Sequence, residues 1–524
     1  MRPKRPSKQG TVAHPPTLEE ACPLAKEPAP LVGPIVPGAA CPTFAEPDRT
    51  AQPRLSVPNR QHLLSAMTID ELVEADHPVR AVWSYVLELD IAPLYDRIRA
   101  RGSLAGRPAI DPRLLVALWL HATLSGFTSA RELNDLCIHH DAFRWLVGGV
   151  SVNYHTLADC RTDNPEYLEQ LLKHSVEVLR QQGLIDLDRV AQDGIRVRAS
   201  AGAGSFRRRQ TLEGLLQEAQ AEVQRLRQKL AATAIDLPAS QEATMEATLA
   251  SSPELAVAVT DLAAPQEVAI EPTPASTPEP ELASSPEPTP ASTPEPSRQQ
   301  QAATMRHAAD RLERIEQALE RMPELEAKIK PNEKKEPRVS TTDPQATVMK
   351  MADGGYRPAY NVEYSTTCQG QVIVGVDVVT VGSDQGQLSP MLEQVNNRFG
   401  QRPQEALVDG GYAKLQDIEK VQKEMNCKVY APVAKPKKDT VDRHEPKATD
   451  SEEVAEWRKR MGTPEAKVNY RQRAATAECV NAQARNRGLG QFLVRGLEKV
   501  KATAMWFAIA HNMARSFALH PQLA

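Results

Sequence analysis

Asp193, Asp409 and Glu478 are the residues whose types and settings fit a single chemistry. Asp193 follows the apolar run from Ile185 to Ala191 and opens QDGIRVRAS, Asp409 lies in ALVDGGY, and Glu478 lies in the helical stretch RAATAECVNAQARNRG. Two acids at strand tips and a third on a later helix can gather around hard divalent cations. Mg2+ takes carboxylate oxygens and keeps positions for water and phosphate, and Mn2+ suits the same donors. Two such ions roughly 3.5 to 4 Å apart activate a water or 3′-hydroxyl and stabilise the leaving 3′-oxygen. The neighbouring Gly194, Gly410 and Gly411 permit sharp turns and close approach of a nucleic-acid backbone. Singly each acid is ordinary, since Asp-Gly after a strand is commonly a turn. The weight rests on the order of all three.

Other candidates fit less well. Asp353, in MADGGYRP, precedes a strand, and Asp377, in GVDVV, lies along one, so either is only a substitute for Asp409 as second acid. His139 and His140 are adjacent and lack a second ligand pair at metal spacing, which suits a helix surface better than zinc.

The elements that must position the acids can be read from periodicity. AYNVEYST alternates and QVIVGVDVVT is rich in β-branched residues, so the two predict an antiparallel hairpin. A helix from about Gln385 to Arg398 leads to the buried strand EALVDGG, and another near Leu415 to Met425 precedes CKVYAPV. With the strand before Asp193 placed first, and a helix carrying Glu478 last, this is an α/β succession of the RNase H-like kind. It predicts a mixed-sheet catalytic core split into 185–205 and 341–516.

The split is made by an insertion over 206–340. Leu212, Leu216, Ala219, Val223, Leu226 and Leu230 form one heptad seam, and Met305, Ala308, Leu312, Ile315, Leu319 and Met322 form another. Between them PASTPEP occurs at 274–280 and again at 290–296, in a tract too poor in apolar residues to order itself. The expectation is an antiparallel helical hairpin, each arm reaching roughly 35 Å, with a low-complexity, disordered tip over about 234–299.

Residues 1–57 read as a disordered leader and 58–180 as an all-α N-terminal domain. In PRLLVALWLHATLSG, Leu114, Leu115, Leu118 and Trp119 keep helical spacing behind Pro112 and before Gly126. In SARELNDLCIHHDAFRWLVGG, Ser129 and Glu132 have capping-box spacing, and Leu133, Leu136, Phe143 and Leu146 supply an apolar face. Short helices with tight turns suit a helix-turn-helix-like DNA-binding unit.

Net charge is -4, but residues 236–297 hold eleven acidic and no basic residues, leaving 63 basic against 56 acidic residues elsewhere. A body of about +7 is compatible with nucleic acid. The basic groups Arg207 to Arg209, Lys435 to Lys438 and Arg458 to Arg460 are candidates for phosphate contact. Seven cysteines without a CxxC pair predict reduced thiols in the cytoplasm and no structural zinc. MRPKRPSKQG has no apolar stretch behind its basic residues, which argues against a secretory signal. ATAMWFAIAHNMARSFAL is interrupted by His511, Asn512 and Arg515 and predicts a buried terminal helix, not a membrane span.

From about 107 to 515 the chain resembles the DDE transposases of bacterial insertion sequences, in the group with an InsH-type N-terminal domain. GRPAIDPRLLVALWLHATLSGFTSARELNDL carries the likeness in the N-terminal part. VMKMADGGYRPAYNVEYST, GSDQGQLSPMLEQV, LVDGGYAKLQDIE and YRQRAATAECVNAQARNRGL carry it in the core. The resemblance implies that Asp193, Asp409 and Glu478 are the catalytic, metal-binding triad, holding two Mg2+ ions. It matches Tyr470, Arg473, Glu478 and Arg485 to the family's Tyr-Arg-Glu-Lys signature, with two departures. Arg485 replaces the lysine, and one extra residue separates Arg473 from Glu478, which on a regular helix turns a side chain by about 100°. Arg485 lies two turns beyond Glu478, where a guanidinium can clamp a phosphate.

With Arg207 and Arg208, these flanking residues make Tyr470, Arg473 and Arg485 the expected DNA contacts. The implied activity is cleavage and strand transfer at terminal inverted repeats of double-stranded DNA. A homodimer or larger synaptic complex would carry it out in the bacterial cytoplasm, at the nucleoid. The alternatives are a non-catalytic DNA-binding derivative and an RNase H-like nuclease or resolvase.

Overall fold

The computed structural model describes residues 55–58, 63–64, 67–102, 107–235, 297–328, 336–436 and 442–520, all within the unit Pro47–Ala524. Most of the expected leader lies outside the described residues; at its end Leu55–Ser56 pairs in parallel with Ala109–Ile110. The expected low-complexity tip lies outside them from 236 to 296.

Six strands form the main sheet: β1 (Arg189–Arg198), β2 (Thr347–Lys350), β3 (Tyr356–Thr367), β4 (Ile373–Val379), β5 (Glu405–Leu407) and β6 (Lys428–Tyr430). Their order is β4-β3-β1-β5-β6, with β2 also paired to β3. β3 is antiparallel to β1, β2 and β4, while β5 is parallel to both β1 and β6. The expected succession of strands and helices is present, together with the unexpected short β2. The fold is mixed α/β.

One expectation needs correcting. Asp193 is not at the tip of its strand, because β3 pairs with β1 along its length from Val190 to Arg198 and keeps it extended past the acid. On the other side β5 pairs only with Arg189, Val190 and Ala191. Asp193 therefore lies just beyond the end of its parallel partner, inside a longer antiparallel pairing.

Fifteen helices can be followed in chain order among the described residues: α1 (Pro78–Leu87), α2 (Ala92–Asp96), α3 (Pro112–Leu124), α4 (Ala130–His139), α5 (Asp141–Val147), α6 (Tyr154–Thr162), α7 (Pro165–Gln181), α8 (Arg209–Ile235), α9 (Arg298–Ala327), α10 (Leu388–Phe399), α11 (Leu415–Met425), α12 (Glu452–Gly462), α13 (Pro464–Arg473), α14 (Cys479–Asn486) and α15 (Leu497–Leu519). α3 starts where Asp111 accepts from Arg113 N at 3.0 Å with Pro112 in the first turn, and Gly126 follows it at φ +86°. Ser129 caps α4 by accepting from Glu132 N at 3.3 Å. The apolar face read through 133–146 is divided between α4 and α5, because His140 is extended and breaks the helix.

Two cores flank the sheet. In one, α1, α3, α5, α7 and α15 pack on Ile195, Val197, Tyr360, Val362 and Val376, so the N-terminal helices and part of the sheet share a continuous apolar interior. The other joins α10, α11 and α12 to β5 and β6 through Leu392, Val395, Ile418, Val421, Val429 and Trp457. The polar residues that interrupt the last helix have structural partners at the start of the edge strand β4. Asn512 accepts from Ile373 N and donates to Ile373 O, both at 2.8 Å, and Arg515 donates to Gly370 O at 2.8 Å. No described helix is long and apolar enough to cross a membrane.

α8 and α9 pack antiparallel, with the start of α8 tied to the end of α9 by Arg209 and Glu326. The expected seam residues are buried or half-buried throughout. Full burial concentrates toward the base, where Leu212, Ala318, Met322 and Val339 form a small cluster.

Candidate active site

The β1–β5 register brings the first two acids together. Leu407 pairs with Ala191, and Asp409 and Asp193 each lie two residues further along their strands. Side chains alternate with a period of two and parallel strands lie about 4.8 Å apart, so this offset sets the carboxylates side by side. Asp409 then caps the short turn Gly410–Tyr412, accepting from Gly411 N at 2.7 Å. Asp193 accepts from Gly194 N at 3.1 Å and keeps 18% of its side chain exposed. Burial pushes its pKa up to about 6; repulsion from Asp409 and Asp384 adds to this, while Arg473 and the Gly194 amide oppose it.

Glu478 arrives by an irregular route. Between α13 and α14, residues Ala474–Glu478 form a π-helical turn. A π turn spans one residue more than an α turn, so it takes up the extra residue between Arg473 and Glu478. The 100° displacement expected of a regular helix does not occur. Arg473 donates to Glu478 Oε1 at 2.8 Å and reaches Asp193 Oδ2 at 3.0 Å. Only 10% of the Arg473 side chain is exposed, against 56% of Glu478. Burial opposes the guanidinium's charge, but Asp193 first, then Tyr470, Asp409 and Glu478, outweigh it and hold its pKa above the ordinary value. The turn is fastened to the sheet end by Gln371, which donates to Ala475 O at 2.6 Å.

Beneath the acids lies a polar layer that sequence reasoning missed. Asn361 Nδ2 donates to Glu363 Oε1 and to Asp384 Oδ1, both at 2.7 Å. Gln192 donates to Gln387 O at 3.0 Å and to Glu363 at 3.4 Å, and the Tyr412 hydroxyl donates to Glu363 Oε2. Burial raises the Glu363 pKa to about 8, the Tyr412 and Gln192 hydrogen bonds working against it and Asp384 and Asp193 with it. A signal existed in the sequence: Asn361 and Glu363 stand two apart in a strand, and so on one face of it. Asp384 gave less, being a loop acid ahead of α10.

Of the expected DNA contacts, Tyr470 and Arg473 belong to this cluster. Tyr470 is half-buried and feels the charges of Arg473, Asp409, Glu478 and Asp193. Arg485 is exposed on α14. Arg207 and Arg208 lie at the base of the arm; Arg207 donates to Gly204 O, and Arg208 pairs with Glu336 at 2.7 Å. Their hydrogen-bond and ion-pair partners belong to the arm base, not to the acid cluster.

Two members of the third basic group are structural. Arg458 is buried against Asp450 at 2.7 Å, and Arg460 pairs with Glu456 at 3.1 Å while covering the Tyr430 ring. Lys435 is exposed, and Lys437 and Lys438 lie outside the described residues. Asp353 is ion-paired with Arg357 and Asp377 with Lys501, away from the cluster. His139 and His140 are exposed, and Cys137, Cys160, Cys368, Cys427 and Cys479 are free.

Among the described residues no three or more His, Cys, Asp or Glu side chains already form a metal-binding group. Arg473 occupies the space between Asp193 and Glu478, providing the positive charge there. The donor set nonetheless suits a hard cation. It is all oxygen, it includes several carboxylates, and the amide oxygens of Asn361 and Gln192 beneath them are buried without a hydrogen-bond partner.

Two families match the sequence: "Transposase DDE domain" over residues 410–517 and "Transposase domain (DUF772)" over residues 67–163. The first contains Tyr470, Arg473, Glu478 and Arg485 and begins immediately after Asp409. Neither the curated proteins nor the solved structures include a match.

Proposed function

We propose that this chain, whose two matched regions support a DDE transposase of an insertion-sequence family, binds terminal inverted repeats, cuts DNA at the element ends and joins the freed 3′-ends to target DNA. The carrying observation is the convergence of Asp193, Asp409 and Glu478 at one end of the sheet, the first two by register and the third through Arg473. The sheet order, with its antiparallel hairpin beside the first strand and two parallel strands beyond it, supports an RNase H-like core.

Asp193 and Asp409 would hold one or both divalent cations between them, and Glu478 would complete the second position. Two bound Mg2+ ions supply Lewis-acid activation of the attacking oxygen and stabilisation of the leaving one. Arg473 must leave the space between Asp193 and Glu478 for Glu478 to serve as a ligand. Freed, its guanidinium is placed to hold a phosphate of the bound strand, beside Tyr470. The exposed Arg485 on α14 would extend that contact. The N-terminal helices of 58–180 would bind the repeats. Paired cutting of two ends implies at least a dimer.

The test is cleavage of labelled DNA carrying the inverted repeats that flank the coding region, with Mg2+, by the wild type, Asp409→Ala and Glu478→Ala. The expected result is cutting at the repeat ends, lost in both variants while DNA binding persists. A wild type that binds the repeats without cutting or joining them overturns the proposal in favour of a DNA-binding derivative. Equal cutting of DNA without the repeats would point to a nuclease.

A further inference from the structure

The loop before α10 brings Asp384 against Gly194 and Gly411, the glycines that follow the two strand acids. A Cβ placed on Gly194 would lie 2.9 Å from Asn361 Oδ1, 3.0 Å from Asp384 Oδ1 and 3.0 Å from Glu363 Oε1. Oxygens from a loop and a strand thus converge on a single point above the residue that follows Asp193. The other Asp384 oxygen faces the Asp409 turn: a Cβ on Gly411 would lie 3.2 Å from Asp384 Oδ2 and 2.8 Å from Asp409 Oδ1. Asp384 therefore reaches toward both acids at once.

An independent feature singles out this point. Asn361 is fully buried (0% exposed), and while its Nδ2 holds Glu363 and Asp384 in place, its Oδ1 has no hydrogen-bond partner. A buried amide oxygen without a donor is normally matched by water or an ion. Here it is aimed at the point where the two carboxylate oxygens meet. Two carboxylates and an amide oxygen are hard donors of the kind that bind divalent cations.

We propose that Asp384, Asn361 and Glu363 form a cation cradle over Gly194, adding Asp384 and Glu363 to the three acids of the site, with Asp384 shared between the Asp193 and Asp409 sides. Gly194 is required there because any side chain would fill the cradle. The inference rests on the metal-dependent reading of the acid cluster, but its test needs neither DNA nor turnover.

The experiment counts Mn2+ bound to the full chain by electron paramagnetic resonance of free Mn2+, without DNA. It compares the wild type with Asp384→Asn, Gly194→Ala, Asp409→Ala and, as a distant acid, Asp353→Asn. Asp384→Asn keeps an oxygen for Asn361 and removes the charge, whereas Gly194→Ala places a methyl at the point of convergence. Melting in EDTA checks that each variant is folded.

The expected result is Mn2+ affinity lowered on the order of 10- to 100-fold or more by both Asp384→Asn and Gly194→Ala, with Asp353→Asn unchanged. Wild-type affinity in both variants, with loss in Asp409→Ala, overturns the cradle and leaves the metal-dependent transposase reading intact. Loss in Asp384→Asn and Gly194→Ala in a protein that never cuts the repeats supports the cradle while that reading fails. A wild type that binds no Mn2+ overturns the cradle.

Discussion

At the sheet end Arg473 meets Asp193 at 3.0 Å and Glu478 at 2.8 Å; at the base of the helical arm Arg209 meets Glu326 at 2.8 Å. The contacts are alike in length and unlike in setting. Arg209 and Glu326 are 40% and 42% exposed, so water screens both charges whether or not they pair. Arg473 and Asp193 are largely withdrawn from water, and each depends on the other for its charge. The arm is held by its apolar seam, to which the ion pair adds little. The sheet end is held by charge balance, so it must respond when a cation of another kind arrives.

The sharpest way to break the comparison is to rotate Glu478. Inserting one alanine after Ala474 adds a further residue to the π turn and swings Glu478 by about 100°. Metal-dependent cleavage of the repeat ends should become undetectable, and the melting temperature should fall as well, because the same rotation carries the buried Val480 and Ala484 off their core positions. Retained cleavage would mean that Glu478 does not act where Arg473 now holds it.

Next in size is removal of each arginine in turn. Arg473→Ala leaves the acids without their counter-charge and should cost roughly 1–3 kcal/mol in EDTA, the range for a buried polar partner lost. Mg2+ should restore much of that loss, since the vacated space lies between carboxylates. Arg209→Ala should cost no more than about 1 kcal/mol and show no response to Mg2+. Equal costs, measured by denaturant unfolding, would erase the distinction between the two regions.

The smallest effect is a slope with pH. Burial raises Glu363 from 4.5 to about 8, so between these values the folded state keeps a proton that the unfolded chain has lost. Stability of the metal-free protein should therefore fall as pH rises through that window, this share being complete once Glu363 ionises. Glu363→Gln should flatten the slope between roughly pH 4.5 and 8. Glu326, the partner of Arg209, is exposed and its pKa is not raised, so Arg209→Ala should leave the slope in this window unchanged. An unaltered slope in Glu363→Gln would count against burial as the cause.

Much of this organisation was legible in the residues. Alternation and β-branching located β3 and β4, the helical period located α11, and the heptads located α8 and α9, because each pattern records burial within a short stretch of chain. Asp409 was legible as a residue just past a strand and Glu478 as a helical one, whereas Asp193 proved to lie within a longer strand than its local sequence suggested. The company of the three acids was not legible. Nothing local to Asp384 says that it meets Asn361, and Arg458 and Arg460 look as free in the sequence as Arg485 does. Asp450 reaches Arg458 from the loop before their helix and Tyr430 lies under Arg460 from β6, while Glu456 is one turn back on the same helix.

By itself, then, the sequence determined the order of elements, the apolar faces and the types of residue able to do chemistry, all of which follow from periods of two and 3.6 residues and from turn chemistry. Tertiary structure decided which side chains share a dielectric environment. The β1–β5 register set Asp193 beside Asp409. Packing of the helices around Glu478 absorbed an extra residue as a π turn and returned Arg473 to the acids. Charge interactions depend on distance and burial in space, and neither is a property of spacing along the chain.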